Sequence, residues 1–183
     1  MTSILTRAAA LAAAATTAFA ATPSASAQDL FAGYEKGDLE VTFGGTGTSD
    51  NDFDNNVISF NGSLAYFFTE GFSLGVRQDV SISDGSGDDD SSWAGATVGV
   101  ANYNFNFGDF VPFVGVTLGY LYGDDVDDTF IAGPEAGLKY FVKDDAFLFG
   151  RVNYDFLFES GDEAEDNFDD GRFLYTIGIG LTF

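Results

Sequence analysis

The sequence predicts an all-β fold, an eight-stranded antiparallel up-and-down transmembrane β-barrel, and three observations predict it. The last eleven residues, Phe173 to Phe183, alternate without a break between large apolar and small or polar side chains. Successive strand residues point to opposite faces, so Phe173, Tyr175, Ile177, Ile179, Leu181 and Phe183 form one wholly apolar face. Segments of this kind recur along the chain, joined alternately by long acidic links and very short ones. The composition combines 29 Asp+Glu against 7 Lys+Arg with 45% hydrophobic and 16% aromatic residues, so charge and apolarity must be segregated in space. A closed sheet achieves this in a bilayer, because lipid covers the apolar face and closure leaves no unpaired backbone edge.

Met1 to Ala27 holds Arg7, an alanine-rich run with Leu11 and Phe19, and Ala25-Ser26-Ala27 before Gln28. That is the pattern of a secretory signal peptide over residues 1–27, with the barrel domain over 28–183. Loss of Arg7 takes the net charge from −22 to −23, a field that disfavours nucleic acid and anionic surfaces.

Strands are expected near 38–48, 57–68, 72–83, 93–107, 111–123, 130–142, 146–158 and 172–183, the length a tilted membrane strand needs. The long links, Ser49 to Asn56, Asp84 to Ser92, Asp124 to Thr129 and Glu159 to Gly171, hold 18 of the 29 acids and no Lys or Arg. The short links are Thr69-Glu70-Gly71, Gly108-Asp109-Phe110 and Lys143-Asp144-Asp145. Short turns on one side and long loops on the other is the layout of an outer-membrane barrel, with turns periplasmic and loops extracellular. Tyr66, Tyr103 and Tyr140 recur at intervals of 37, each just before a short turn, so the repeating unit is a hairpin meander. In the fourth strand the apolar Val98 and Val100 turn inward when Tyr103, Phe105 and Phe107 are placed outward, which suggests a phase-switching bulge near Ala101.

The opposite phase supplies the lumen: Glu40, Thr42, Ser63, Arg77, Asp79, Glu135, Lys139, Arg151, Asn153 and Asp155, with Arg172 at a strand-loop junction. Arg77/Asp79, Glu135/Lys139 and Arg151/Asp155 share a face with opposite sign. An eight-stranded barrel is only wide enough for side chains to fill, so these six residues are expected to form a buried ion-pair network that plugs it. The alternative is a narrow porin-like channel lined by the same charges.

The runs Pro112 to Tyr120 (PFVGVTLGY), Gly133 to Phe141 (GPEAGLKYF) and Ile179 to Phe183 (IGLTF) give the chain its likeness to a known group. It resembles the small eight-stranded outer-membrane barrels of the OmpA/OmpX type, within the broad outer-membrane β-barrel domain family. The resemblance implies location in a bacterial outer membrane, contact with its lipid and lipopolysaccharide, and a terminal Phe183 strand read as a signal by the outer-membrane assembly machinery. Members of the group serve as structural proteins, adhesins, enzymes or narrow channels.

Enzymatic relatives of this fold use a histidine base, and this chain has no His and no Cys, so the familiar nucleophile-base pairs are missing. Neither catalysis nor a cofactor is expected. Asp50, Asp52 and Asp54 start like a calcium loop, but Asn55 and Asn61 stand where the turn glycine and bidentate glutamate belong. No defined metal site follows, although the acidic loops could hold divalent cations loosely. The reading from sequence is a structural or surface-presenting membrane barrel. The alternatives are the narrow channel and a loop-mediated binder of divalent cations or a partner; a soluble lipocalin-like barrel would need the opposite inside-outside polarity.

Overall fold

Two-residue alternation of large apolar residues with small or polar ones dictates extended backbone in each segment. The computed structural model describes residues 33–49, 56–84, 91–123, 129–158 and 172–183. It shows β1 (Leu39–Ser49), β2 (Asn56–Phe67), β3 (Phe72–Asp84), β4 (Ser91–Asn104), β5 (Phe110–Gly123), β6 (Thr129–Lys143), β7 (Ala146–Phe158) and β8 (Arg172–Thr182). Each strand pairs antiparallel with its sequence neighbours, and β1 pairs with β8 to close the barrel. Beyond the last ladder pair, Leu39 and Phe183 exchange backbone hydrogen bonds of 3.0 and 2.9 Å, so the C-terminal residue completes the seam. The expected signal peptide, the start at Gln28 and the acidic stretches 50–55, 85–90, 124–128 and 159–171 lie outside the described residues.

The outer surface is apolar. Phe43, Phe60, Val76, Leu118, Ile177 and Ile179 are each at least 57% exposed, an arrangement that water would oppose and hydrocarbon favours. Aromatic pairs ring both ends, as interfacial girdles require. At the short-turn end Tyr66 meets Phe68 (4.9 Å), Tyr103 meets Phe105 (5.0 Å) and Tyr140 meets Phe110 (4.8 Å). At the loop end Tyr120 meets Phe130 (5.1 Å) and Tyr154 meets Phe173 (4.7 Å). The three tyrosines spaced 37 apart therefore occupy equivalent places in one girdle.

The fourth strand departs from the sequence expectation. Its register runs unbroken from Ser91 to Tyr103 against β3 and from Ala94 to Asn104 against β5, with no bulge near Ala101. Val98 and Val100 do turn inward, without any switch of phase, because the loop-side lumen is itself apolar: Ala96, Val98, Leu121 and Ile131 pack there with Val100 and Leu157. The strand ends at Asn104, and Phe105 and Phe107 belong to the following turn, held by Phe105 N–H to the Pro112 carbonyl (2.8 Å) and Phe107 N–H to the Phe110 carbonyl (3.1 Å). Gly108 supplies that turn's positive φ of 71°. A register shift is found instead between Phe141 and Lys143, where β6 meets β7.

Lipid-facing positions in such a barrel tolerate charge by depth. Ile179→Arg, mid-strand on the outer face, should cost about 2–4 kcal/mol of bilayer refolding stability, whereas Phe173→Arg in the girdle should cost about 0–1 kcal/mol. Urea titrations of the two variants in vesicles measure the difference, and equal losses would contradict the assigned outer face.

Candidate functional site

The strand phase opposite the lipid face projects a column of side chains along the barrel axis. Nearest the short turns is a largely aromatic layer, Tyr34, Phe67, Phe141, Phe147 and Phe149 packed with Val111. Inward-facing glycines make room for it: a Cβ on Gly180 would lie 2.1 Å from Phe147 Cζ, and one on Gly178 would lie 2.6 Å from Phe149 Cε1. Tyr34 comes from the segment preceding β1. Its ring stacks on Phe67 at 3.8 Å with planes 10° apart, and stands edge-on to Phe141 and Phe147.

Lys139 reaches into this layer from β6. Its ammonium donates to Glu40 Oε2 at 2.6 Å and to Asn104 Oδ1 at 2.9 Å. The same nitrogen lies 4.6 Å from the centre of the Tyr34 ring and 5.1 Å from that of Phe113, within the range of cation–π attraction. The Tyr34 hydroxyl donates to the same Glu40 oxygen. Burial first, then the charge and hydrogen bond of Glu40, hold the Tyr34 hydroxyl well above the usual tyrosine range.

The middle layer is ionic. Arg77 Nη1 meets Glu135 Oε2 at 2.7 Å and its Nε meets Asp79 Oδ2 at 3.3 Å, while Asn102 Nδ2 donates to the other Glu135 oxygen at 2.8 Å. Arg77 and Glu135 are both 3% exposed, so each needs the other. Arg151 makes a long contact to Asn61 Oδ1 (3.5 Å), and its guanidinium lies 5.7 Å from the centre of the Phe149 ring. It forms no ion pair among the described residues. A cavity of about 30 Å³ adjoins it, bordered also by Glu40, Thr42, Arg77, Glu135 and Lys139. Towards the loops Asp155 accepts from Asn153 Nδ2 (2.8 Å) and faces Arg172 Nε at 3.8 Å.

All six residues singled out from sequence thus face the lumen, but two of the three same-strand pairings do not form. Glu135 pairs with Arg77 rather than Lys139, and Asp155 with Arg172 rather than Arg151. Residues four apart on a strand are about 13 Å apart along it, too far for direct contact, whereas positions 77 and 79 are close enough for a long side chain to bridge. Lys139 finds Glu40, a residue placed in the lumen by phase but left without a partner. Sequence reasoning misses Tyr34, which lies before the first strand, and the inward phenylalanines, because it places the aromatics on the lipid face. The phase carried the signal: Phe147 and Phe149 share parity with Arg151, Asn153 and Asp155.

Removing one partner of a buried pair is costly where removing an exposed one is not. Glu135→Gln should destabilise the barrel by about 3–5 kcal/mol, and Arg172→Gln, at a 43% exposed side chain, by about 0–1 kcal/mol. Unfolding midpoints in one detergent or lipid measure both. For Tyr34 the folded-state pKa lies above the unfolded value, so its contribution is complete below about pH 10 and is lost as pH rises through the folded value. Spectrophotometric titration of the tyrosinate band should show one late-ionising tyrosine that Tyr34→Phe abolishes.

No family model and no curated protein sequence matches the chain. Among solved structures it is similar to the N-terminal β-barrel domain of Pseudomonas aeruginosa OprF, with a TM-score of 0.56 and 18% identity over 81% of this chain and 98% of that one. It is similar also to the outer membrane protein OprG from Pseudomonas aeruginosa, with a TM-score of 0.56 and 13% identity over 84% and 99% of the two chains. The fold is therefore that of the eight-stranded transmembrane barrels.

Proposed function

We propose that the chain is an integral protein of a bacterial outer membrane, with a structural or surface-presenting role, a closed lumen and acidic loops turned to the cell exterior. The carrying observation is the outer surface: large apolar side chains between two aromatic girdles cover the outside, while the buried ion pairs are confined to the interior. Such a surface is stable only against lipid. The fold neighbours, both outer-membrane barrels, support the same location, as does the export signal expected at residues 1–27. Phe183, whose backbone closes the seam with Leu39, suits a terminal strand recognised by the assembly machinery. Lipid and lipopolysaccharide are then the immediate partners, and divalent cations could associate with the acidic links.

The side chains support closure over conduction. Aromatic, ionic and apolar layers succeed one another across the lumen, and the cavity of about 30 Å³ beside Arg151 is of a size that admits water without forming a path. The absence of His and Cys from the sequence favours a non-catalytic role. Specific recognition would then fall to the links between strands at the loop end, which a rigid barrel holds at one surface.

Refolded protein in planar bilayers should show no single-channel steps, and regular steps would favour the narrow-channel reading. A broad-specificity protease applied to intact cells should cut within 159–171. Cleavage at Lys143 with protection of that link would invert the orientation.

A further inference from the structure

The short-turn mouth of the lumen is shaped around a phenol ring, and the ring comes from a segment outside the barrel wall. Residues 33–38 precede β1 and fold back over the opening. The reversal is a tight turn: Glu35 N–H donates to Asp38 Oδ2 (2.8 Å), Asp38 N–H to the Glu35 carbonyl (3.3 Å), and Gly37 has a φ of 108°, which favours glycine. Glu35, Lys36 and Gly37 are exposed, and Tyr34 is 2% exposed. The segment thus inserts one large side chain into the lumen.

Each part of that side chain has a counterpart in the wall. Phe67 lies flat against one face at 3.8 Å, Phe141 and Phe147 stand edge-on at 5.6 and 6.5 Å, the Lys139 ammonium lies 4.6 Å from the ring centre, and Glu40 accepts the hydroxyl proton. Stacking, edge contacts, cation–π attraction and a carboxylate acceptor together select an aromatic ring bearing a hydroxyl over an aliphatic chain or an unsubstituted ring. All five of those partners belong to strands of the closed barrel, each tied to both neighbours. The segment is tied to β2 by Gly37 N–H to the Phe67 carbonyl (2.8 Å) and Phe67 N–H to the Asp38 carbonyl (2.9 Å). Tyr34 lies on the far side of those bonds, so the ring can leave with residues 33–36 while they and the barrel stay intact.

We propose that the short-turn mouth is a binding site for a phenolic ring, filled in cis by Tyr34, and that residues 33–36 form a removable stopper covering the Lys139–Glu40 pair. The proposal deepens the closed-lumen reading, because it assigns closure of this end to a displaceable side chain. With the ring withdrawn, Lys139 opens to the short-turn side, and a free phenol of suitable size takes the vacated place, as small aromatics enter apolar cavities made by truncation.

The three lysines that follow the expected signal peptide, Lys36, Lys139 and Lys143, allow a direct test by amine acylation of detergent-refolded protein with peptide mass spectrometry. In the parent protein Lys36 and Lys143 should react and Lys139 should be protected. Tyr34→Ala should lose that protection, Tyr34→Phe should keep it, and p-cresol added to Tyr34→Ala should restore it while toluene restores it less. Mobility of heated and unheated samples on a gel shows that each barrel is folded. Acylation of Lys139 in the parent, or its continued protection in folded Tyr34→Ala without phenol, would overturn the stopper. Restoration by neither aromatic, or equally by both, would overturn the phenol site. If Tyr34→Ala does not refold, the ring is part of the barrel's structural core and the removable stopper is likewise refuted. Conductance is a separate readout, so failure here leaves the closed-lumen reading to its own experiment.

Discussion

Lys139 is an ammonium buried at 3% exposure inside a barrel of eight strands, where the interior leaves room for side chains and little else. A bare cation there would cost several kcal/mol, and the surroundings are built to offset that cost. Glu40 supplies charge, Asn104 a neutral acceptor, and Tyr34 and Phe113 the negative faces of aromatic rings. The partners are themselves positioned: Asn104 donates to the Gly71 carbonyl at 3.1 Å, which ties the lysine's environment to the β2–β3 turn. Charge compensation on the axis thus couples β1, β4 and β6, no two of which are adjacent in the sheet, with the segment that leads into β1.

Filling the lumen with phenylalanine rings dictates the glycines. At Gly137 a Cβ would stand 2.5 Å from Phe113 Cζ, and the same conflict repeats at Gly178 and Gly180 against Phe149 and Phe147. Large and small residues therefore alternate around the wall as well as along each strand. Glycine weakens a strand in isolation, but closure leaves every central ladder paired on both sides. The apolar cluster of Ala96, Val98, Leu121 and Ile131 performs the same filling on the loop side without charge.

Strand number, order and face were legible in the sequence because a period of two survives whatever lies on the other side of the barrel. The bulge near Ala101, absent from the register, comes from treating inward valines as an error of phase rather than as lumen filling. The partners were not legible for a geometric reason. Arg77 meets Glu135, 58 residues away, and Lys139 meets Glu40, 99 residues away, contacts that depend on strand stagger and barrel curvature. Tyr34 was hidden because it lies before the first strand, where no alternation assigns a face.

The pressure to pair buried polar groups, met in the lumen except at atoms such as Arg151 Nε and Asn102 Oδ1, extends to the outside of the wall. Gln78 sits mid-strand on the lipid-facing side, between Val76 and Val80, where an unsatisfied amide would be costly. The two hydrogens of its Nε2 are shared among the Ala96 carbonyl (2.9 Å), the Asp79 carbonyl (3.0 Å) and Tyr122 Oη (2.9 Å), and its Oε1 accepts from Thr97 Oγ1 at 2.8 Å. Gly95 is what allows Tyr122 to lean over it, since a Cβ there would fall 2.7 Å from the ring. A polar side chain on this surface is tolerated because β3, β4 and β5 close a hydrogen-bonded cluster around it. The outer face thus obeys the same accounting as the lumen, with hydrogen bonds from neighbouring strands taking the place of ion pairs across the axis.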